Sequence, residues 1–344
     1  MVMKKILLVG PNNPRRCGIA SHVIQLEAAL KKDEWIVETL SPYDCEGTYH
    51  GNLSGGFNFL KIIKYAKEFD IVNVHFSFEE YFYCGRSLMR ALNIFPMIAL
   101  LILFRKMKNL NLVIHEPPPT PHWFQRTWFD RLVWSHVPMI TFFTEKERKF
   151  FENNYKFVFK ENQCKVEEVS QIFQIYSNLS KSESRKILNI VQNKIIFLCI
   201  GFISKNKGFD RIVKIFLDGK LSQCHLYIVG SIRQEDDKSS QEYYLQLHNA
   251  SSKVNNISVI NQFVSYSNFD LWINAADYLV IPYREISNSG VLGRAKILNR
   301  PAIVANIGGL ADQVKNTDIL FSSDQELKDI ISSINEKRIE VQLI

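Results

Sequence analysis

Residues 279–310 read LVIPYREISNSGVLGRAKILNRPAIVANIGGL, and the fold is decided there. The apolar run that ends at Pro282 and Tyr283 reads as a buried strand closed by a proline. A polar turn follows, from Glu285 through Ser287, Asn288 and Ser289 to Gly290, and then a helix-like segment from Val291 to Leu298. Pro301 introduces a second apolar run, Ala302 to Ala305. Strand, small-residue turn, helix and strand make a parallel βαβ unit, and such units take ligands at the carboxyl ends of their strands. A Ser-Asn-Ser-Gly turn opening a helix presents unpaired backbone N–H groups beside a positive dipole end, which suits a phosphate. The same pattern also serves a plain helix cap with a tight turn.

The unit repeats outward in both directions. In the first half the strand-like runs are Lys5 to Val9, Ile36 to Leu40, Ile71 to His75, Leu112 to His115 and Met139 to Phe143. The second half has Ile195 to Ile200, Leu226 to Val229, Ile257 to Ile260, Tyr278 to Ile281 and Ala302 to Ala305. Several are apolar throughout, as strands are when helices cover both faces of a parallel sheet. The polar stretch from Tyr176 to Ser184 separates the two sets. The chain therefore reads as two doubly wound α/β domains, residues 1–176 and 177–344, with a cleft between them.

Composition narrows the function. A length of 344 residues gives each half room for its own core, and 46% apolar beside 22% charged residues is the balance of a soluble globular chain. The formal charge of +7 is too small to argue for nucleic acid. Six cysteines without a Cys-x-x-Cys pair fit a reducing compartment, and the eight histidines show no zinc-ligand spacing. The apolar run at the N-terminus is too short for a signal peptide and reads as the first strand. A cytoplasmic protein is expected, without a resident metal or cofactor.

Two further segments face phosphate in the same way. The first strand runs into Gly10-Pro11-Asn12-Asn13-Pro14-Arg15-Arg16-Cys17-Gly18-Ile19-Ala20-Ser21-His22-Val23, where a glycine opens the following helix. The three-glycine dinucleotide pattern is absent, which argues against NAD or FAD. A loop with two solvated arginines is the structural alternative. The second half opens with a strand, Gly201, and then Lys205-Asn206-Lys207-Gly208-Phe209-Asp210. Lys207 beside Gly208 can aim an ammonium at a diphosphate near a helix start. A surface lysine before a turn glycine is the plain alternative.

Together these segments resemble the retaining GT-B glycosyltransferases of the large family four. Cys17-Gly18-Ile19 with Ser21-His22-Val23 matches the family's N-terminal glycine loop. Gly201 with Lys207-Gly208-Phe209-Asp210 matches its strand-Gly…Lys-Gly-x-Asp segment. Pro282 through Pro301 to Gly308-Gly309 matches its third. The resemblance implies that Gly18 contacts the donor diphosphate from the N-terminal domain, and that Lys207 binds the same group. It gives His115, at a strand end, a contact with the donor sugar, with His75 as a lesser candidate at the same edge. Beyond Glu116 the triple proline Pro117 to Pro119 stiffens the chain, which suits an acceptor wall.

The chain departs from the family pattern at three places. Phe202 stands where an arginine usually follows the strand glycine, with Lys205 or Arg15 and Arg16 as the available substitutes. Arg294 stands where the family's second, ribose-binding glutamate falls. Ile286 takes the place of the first, with Glu285 one position away. The chain instead resembles a subset with a Ser-Gly-Val-Leu turn, which makes Ser287, Ser289, Gly290 and Val291 the donor-binding turn and Gly201 its neighbour. The resemblance implies transfer of a hexose-type sugar from a nucleoside diphosphate donor to a glycan or lipid-linked glycan, with retention and without metal, in surface polysaccharide assembly. A nucleotide-sugar epimerase and a non-catalytic nucleotide-sugar or carbohydrate-binding protein remain the rival readings.

Two local features need a reading of their own. Leu92 to Phe104 is strongly apolar with basic flanks, so it is either a buried helix or a patch pressed onto an anionic membrane at the inner face of the cell membrane. Glu235-Asp236-Asp237 is the nearest acidic cluster to a metal-binding motif, and its polar surroundings read as a solvated loop.

Overall fold

The computed structural model describes residues 3–13, 17–53, 57–77, 94–116, 127–233, 236–286 and 288–342. The chain divides into two units, Met1–Ile172 and Phe173–Ile344. The division falls a few residues before Tyr176 because the connecting segment is already tied to the second unit. The backbone N–H groups of Tyr176 and Ser177 donate to Asp270 Oδ2 at 2.6 and 3.2 Å.

The first unit is built on a seven-stranded sheet in the order β3-β2-β1-β4-β5-β6-β7. Its strands are β1 (Lys5–Val9), β2 (Ile36–Ser41), β3 (Tyr49–His50), β4 (Ile71–Phe76), β5 (Leu110–Ile114), β6 (Met139–Phe142) and β7 (Cys164–Val166). The second unit has a six-stranded sheet in the order β10-β9-β8-β11-β12-β13. These strands are β8 (Ile195–Ile200), β9 (Cys224–Gly230), β10 (Ile257–Asn261), β11 (Tyr278–Ile281), β12 (Ala302–Ala305) and β13 (Ile319–Phe321). Every pairing in both sheets is parallel. Each unit is thus a doubly wound, Rossmann-like α/β fold, as the alternation of apolar runs and helical segments predicts.

Burial explains why the central strands are apolar end to end. All seven residues of β9 are buried, and so are the last five of β8, because helices pack on both faces. Three strands escape the apolar-run criterion: β3, β7 and β13. Each is two or three residues long and lies at the edge of its sheet, and none is buried throughout. Chain order reverses beside β1 in the first sheet and beside β8 in the second. These switch points, between β1 and β4 and between β8 and β11, are where open α/β sheets bind ligands.

The apolar stretch forms the helix Ile94–Lys106. Met97, Ala99, Leu100, Leu103 and Phe104 are buried in the first unit's core together with Trp134, while Arg105 and Lys106 are exposed. Ile98, Leu101 and Ile102 are partly exposed. The basic residues before the stretch, Arg86 and Arg90, lie outside the described residues. Among the described residues no helix is long and apolar enough to cross a membrane.

Candidate functional site

In the second unit the site is assembled at the ends of β8 and β11. After β8 the chain leaves through Gly201, whose φ of 126° is left-handed territory that favours glycine. The nearest atom to a Cβ added there is Cγ2 of Val291, at 3.7 Å, so the β8 exit lies against the first turn of the helix Gly290–Ile297. The loop then forms a single 3-10 turn, Lys205–Lys207, closed by Gly208 at φ 63°. A Cβ at Gly208 would lie 2.2 Å from the Pro282 carbonyl oxygen. Only glycine allows this approach, and the approach is what brings Lys207 to the end of β11.

The loop is tied there by polar contacts. Arg284 donates its backbone N–H to the Asn206 carbonyl at 2.8 Å and its guanidinium to the Lys205 carbonyl at 2.9 Å. The same guanidinium forms a two-point pair with Asp210, at 2.8 and 2.7 Å, and Asp210 also accepts from the Tyr243 hydroxyl at 2.8 Å. Asp210 of the Lys-Gly-x-Asp segment therefore fixes the loop rather than offering itself to a ligand.

Lys207 lies beside this tied loop on the ring of Tyr283. Its ammonium sits 3.8 Å from the centroid of the buried Tyr283 ring, a cation–π contact. Among the described residues no carboxylate pairs with it. Burial lowers its pKa from 10.5 to about 8, so it carries its charge near neutrality at a desolvation cost that a bound anion would offset.

The helix Gly290–Ile297 supplies the other positive element. Ser289 is its N-cap and accepts from the Leu292 N–H at 3.3 Å. The Ser289 N–H is itself spent on Gln313 Oε1 at 2.8 Å, and the residue is buried. Ser289 thus shapes the turn from inside. The Gly293 N–H donates to the Ser289 C=O, and the residues of the first turn before it, Gly290 and Val291, are exposed and partly exposed, with N–H groups of the kind a helix start leaves without an intrahelical partner. Glu285 is exposed one turn before them. Ser287 lies outside the described residues.

Position 294 carries a different task from the one its place suggests. Arg294 is turned away from the ligand edge and buried against Asp270, with Nε donating to Oδ1 at 2.6 Å. It also donates to the Gln174 carbonyl at 2.8 Å and stacks among the rings of Phe173, Tyr176 and Tyr266. With Asp270 it anchors the connecting segment to the second unit. Phe202 leaves no cation after Gly201, and Lys205 is exposed with its carbonyl committed to Arg284. Arg15 and Arg16 lie outside the described residues, as do Pro117 to Pro119. Of the acidic cluster, Glu235 lies outside the described residues, Asp236 is exposed, and Asp237 caps the helix Lys238–Ser251, accepting from the Ser240 N–H at 3.2 Å and hydroxyl at 2.6 Å.

In the first unit the residues near the β1/β4 switch point are histidines. His75 is on β4, packed under Gly10, and His115 follows β5 directly. His22 comes from the helix Gly18–Lys32, whose N-cap is Cys17. His75 Nδ1 and His115 Nε2 are 3.0 Å apart, and the His22 ring centroid lies 5.2 and 5.0 Å from theirs. Phe143 covers the group at 5.1 Å from His22 and 5.2 Å from His115. Burial lowers the pKa of His22 to about 3 and holds those of His75 and His115 well below the ordinary range, so all three rings are neutral. A Cβ at Gly18 would meet nothing within 4 Å, which leaves its backbone approachable. Sequence reasoning quoted His22 only as part of a motif and did not mark it as a site residue. Its burial on an otherwise half-exposed helix was the missing signal.

Comparison with known proteins follows the geometry. Residues 180–342 match the family model described as glycosyl transferases group 1. No curated protein matches the sequence. Among solved structures, sucrose-phosphate synthase from Thermosynechococcus elongatus superposes with a TM-score of 0.67 at 14% identity, covering 98% of this chain and 90% of that one. A glycosyltransferase from Rickettsia africae gives 0.67 at 16%, covering 97% and 88%. Anabaena Alr3699/HepE in complex with UDP-glucose gives 0.64 at 16%, covering 97% and 90%. At these identities the likeness establishes the fold, which is that of the GT-B glycosyltransferases.

Proposed function

We propose that this protein is a glycosyltransferase whose second unit holds the diphosphate of a nucleotide-sugar donor. The observations that carry the reading are that Lys207, paired with no carboxylate among the described residues, rests on Tyr283 after β11, and that the helix start at Gly290 and Val291 lies against the exit of β8. Anionic oxygens are the ligand that both elements favour. The group 1 match over residues 180–342 and the UDP-glucose complex of a structural neighbour support a nucleoside diphosphate sugar in particular.

Transfer breaks the bond between the sugar's anomeric carbon and the diphosphate, and negative charge grows on the leaving diphosphate. Lys207 and the two amides stabilise that charge, as an oxyanion hole does, at about 3 kcal/mol of barrier per contact. Positive charge fixed in the protein takes the role that a divalent ion plays elsewhere. The exposed Glu285 faces the sugar hydroxyls. We extend the reading to a hexose-type sugar, retention of configuration, and a glycan or lipid-linked glycan acceptor in surface polysaccharide assembly. Ribose recognition falls to groups other than residue 294.

One observation favours a second reading, binding without transfer. Arg294 at the expected ribose-binding position and Phe202 at the expected arginine position remove two groups that a full donor site uses. Thermal shift against a panel of nucleoside diphosphates and their sugars, followed by assay for nucleotide release, separates the two. Stabilisation with release supports transfer, stabilisation without release at any acceptor supports binding alone, and no stabilisation by any of them overturns both. A ligand at a hundred times its dissociation constant adds about 2.7 kcal/mol.

A further inference from the structure

We propose that His22, His75 and His115 form a site for one divalent transition-metal ion of the zinc class, held entirely within the first unit. The three imidazoles arrive from separate elements, and one ligand atom from each lies within 4.8 Å of the others. A zinc–imidazole bond is about 2.0–2.1 Å, so tetrahedral ligand nitrogens stand about 3.3 Å apart. His75 Nδ1 and His115 Nε2, at 3.0 Å, already have that spacing. His22 completes the set by a ring displacement on the order of 1 Å, which a small χ adjustment supplies.

The hydrogen-bond inventory of the cluster points the same way. His22 Nδ1 is buried and finds no partner, and an ion held by His75 Nδ1 and His115 Nε2 would take it up, whereas the unmet His75 Nε2 faces away from that ion. A neutral ring has one donor and one acceptor, and a buried nitrogen left unmet is disfavoured. A metal ion uses imidazole lone pairs that three rings packed together cannot all satisfy among themselves. The chemistry of the set selects the ion: three neutral nitrogens without a carboxylate favour zinc, copper or nickel over magnesium or calcium. Three protein ligands leave a fourth position for water or an oxygen ligand. His115 is the partly exposed member, so exchange with solvent enters on its side.

The inference gives His115 a role other than the donor-sugar contact that the resemblance implies, and its test reads metal binding and not activity. The full chain, stripped with a chelator, is titrated with zinc, and bound metal is counted after dialysis. One zinc per chain is expected. His22→Gln and His75→Gln are each expected to weaken binding at least tenfold, while His50→Gln, at an exposed histidine, leaves it unchanged, and magnesium does not compete. Circular dichroism checks that each variant folds. Should the cluster variants fail to fold, cobalt(II) in the unaltered chain provides the second measurement, three hyperfine-shifted imidazole resonances being expected. Absence of stoichiometric binding, equal loss in His22→Gln and His50→Gln, or fewer than three shifted imidazoles overturns the site and leaves a hydrogen-bonded histidine cluster.

Discussion

Lys207 shows how much a single side chain owes to its surroundings. In sequence it is one of 42 basic residues. In the fold, Gly208 presses its loop onto Pro282 and sets the ammonium over Tyr283. Lys207→Ala is expected to lower nucleotide-release activity by about 100-fold, the equivalent of roughly 3 kcal/mol, with unfolding by urea little changed. Wild-type activity in that variant would refute the proposed role. The lowered pKa gives a second check. Below about 8 the lysine is charged, and above it the free protein loses the charge that attracts a diphosphate. Affinity for a nucleoside diphosphate is therefore expected to fall as pH rises through 8, and a flat titration from pH 7 to 9.5 would contradict it. Arg294 makes the opposite case, a cation consumed by structure. Both partners of its pair are buried, with Asp270 fully so, hence Asp270→Asn should cost about 3–5 kcal/mol in denaturant unfolding.

Elements were legible in proportion to how fully their sheets bury them. The central strands announce themselves as apolar runs because both faces are covered. The edge strands β3 and β7 carry polar residues such as His50 and Lys165, and β13 is apolar but only three residues long, so only the neighbouring strand gives them order. The helix Gly290–Ile297 was readable to within a residue, since Ser289 and Gly290 mark its start by chemistry. What the helix start exposes was not readable. Gln313, distant in sequence, takes the Ser289 amide and so removes it from the donors the turn can offer. Ser289→Ala should cost about 1 kcal/mol of stability through the lost cap. Because Ser289 acts from inside, its loss is expected to weaken nucleotide binding much less than loss of Lys207, and a binding assay comparing the two variants tests this.

At the scale of the molecule, acid should act on the two units unequally. Three neutral imidazoles, two buried and one partly buried, stand in the first unit, while in the second His225, also buried, has its pKa lowered to about 4. A histidine whose folded pKa is depressed binds its proton more readily in the unfolded chain. Its contribution is intact above an ordinary pKa of 6.5 and is lost as pH falls toward the folded value, about 3 for His22. Each such group removes about 1.4 kcal/mol per pH unit in that window. Calorimetry of the metal-free chain from pH 7 to 4.5 is expected to lower the first unit's transition more than the second's; equal shifts would argue against the histidine cluster as the cause. The sequence by itself determined the two doubly wound units and the phosphate-suited turn, because apolar period, glycine, proline and cap residues act over a few neighbours. Only the tertiary structure decided that residues 22, 75 and 115 meet, that Arg294 serves Asp270, and that Lys207 rests on Tyr283. Those outcomes depend on pairings across tens to more than a hundred residues, where packing and desolvation rather than local preference set the partner.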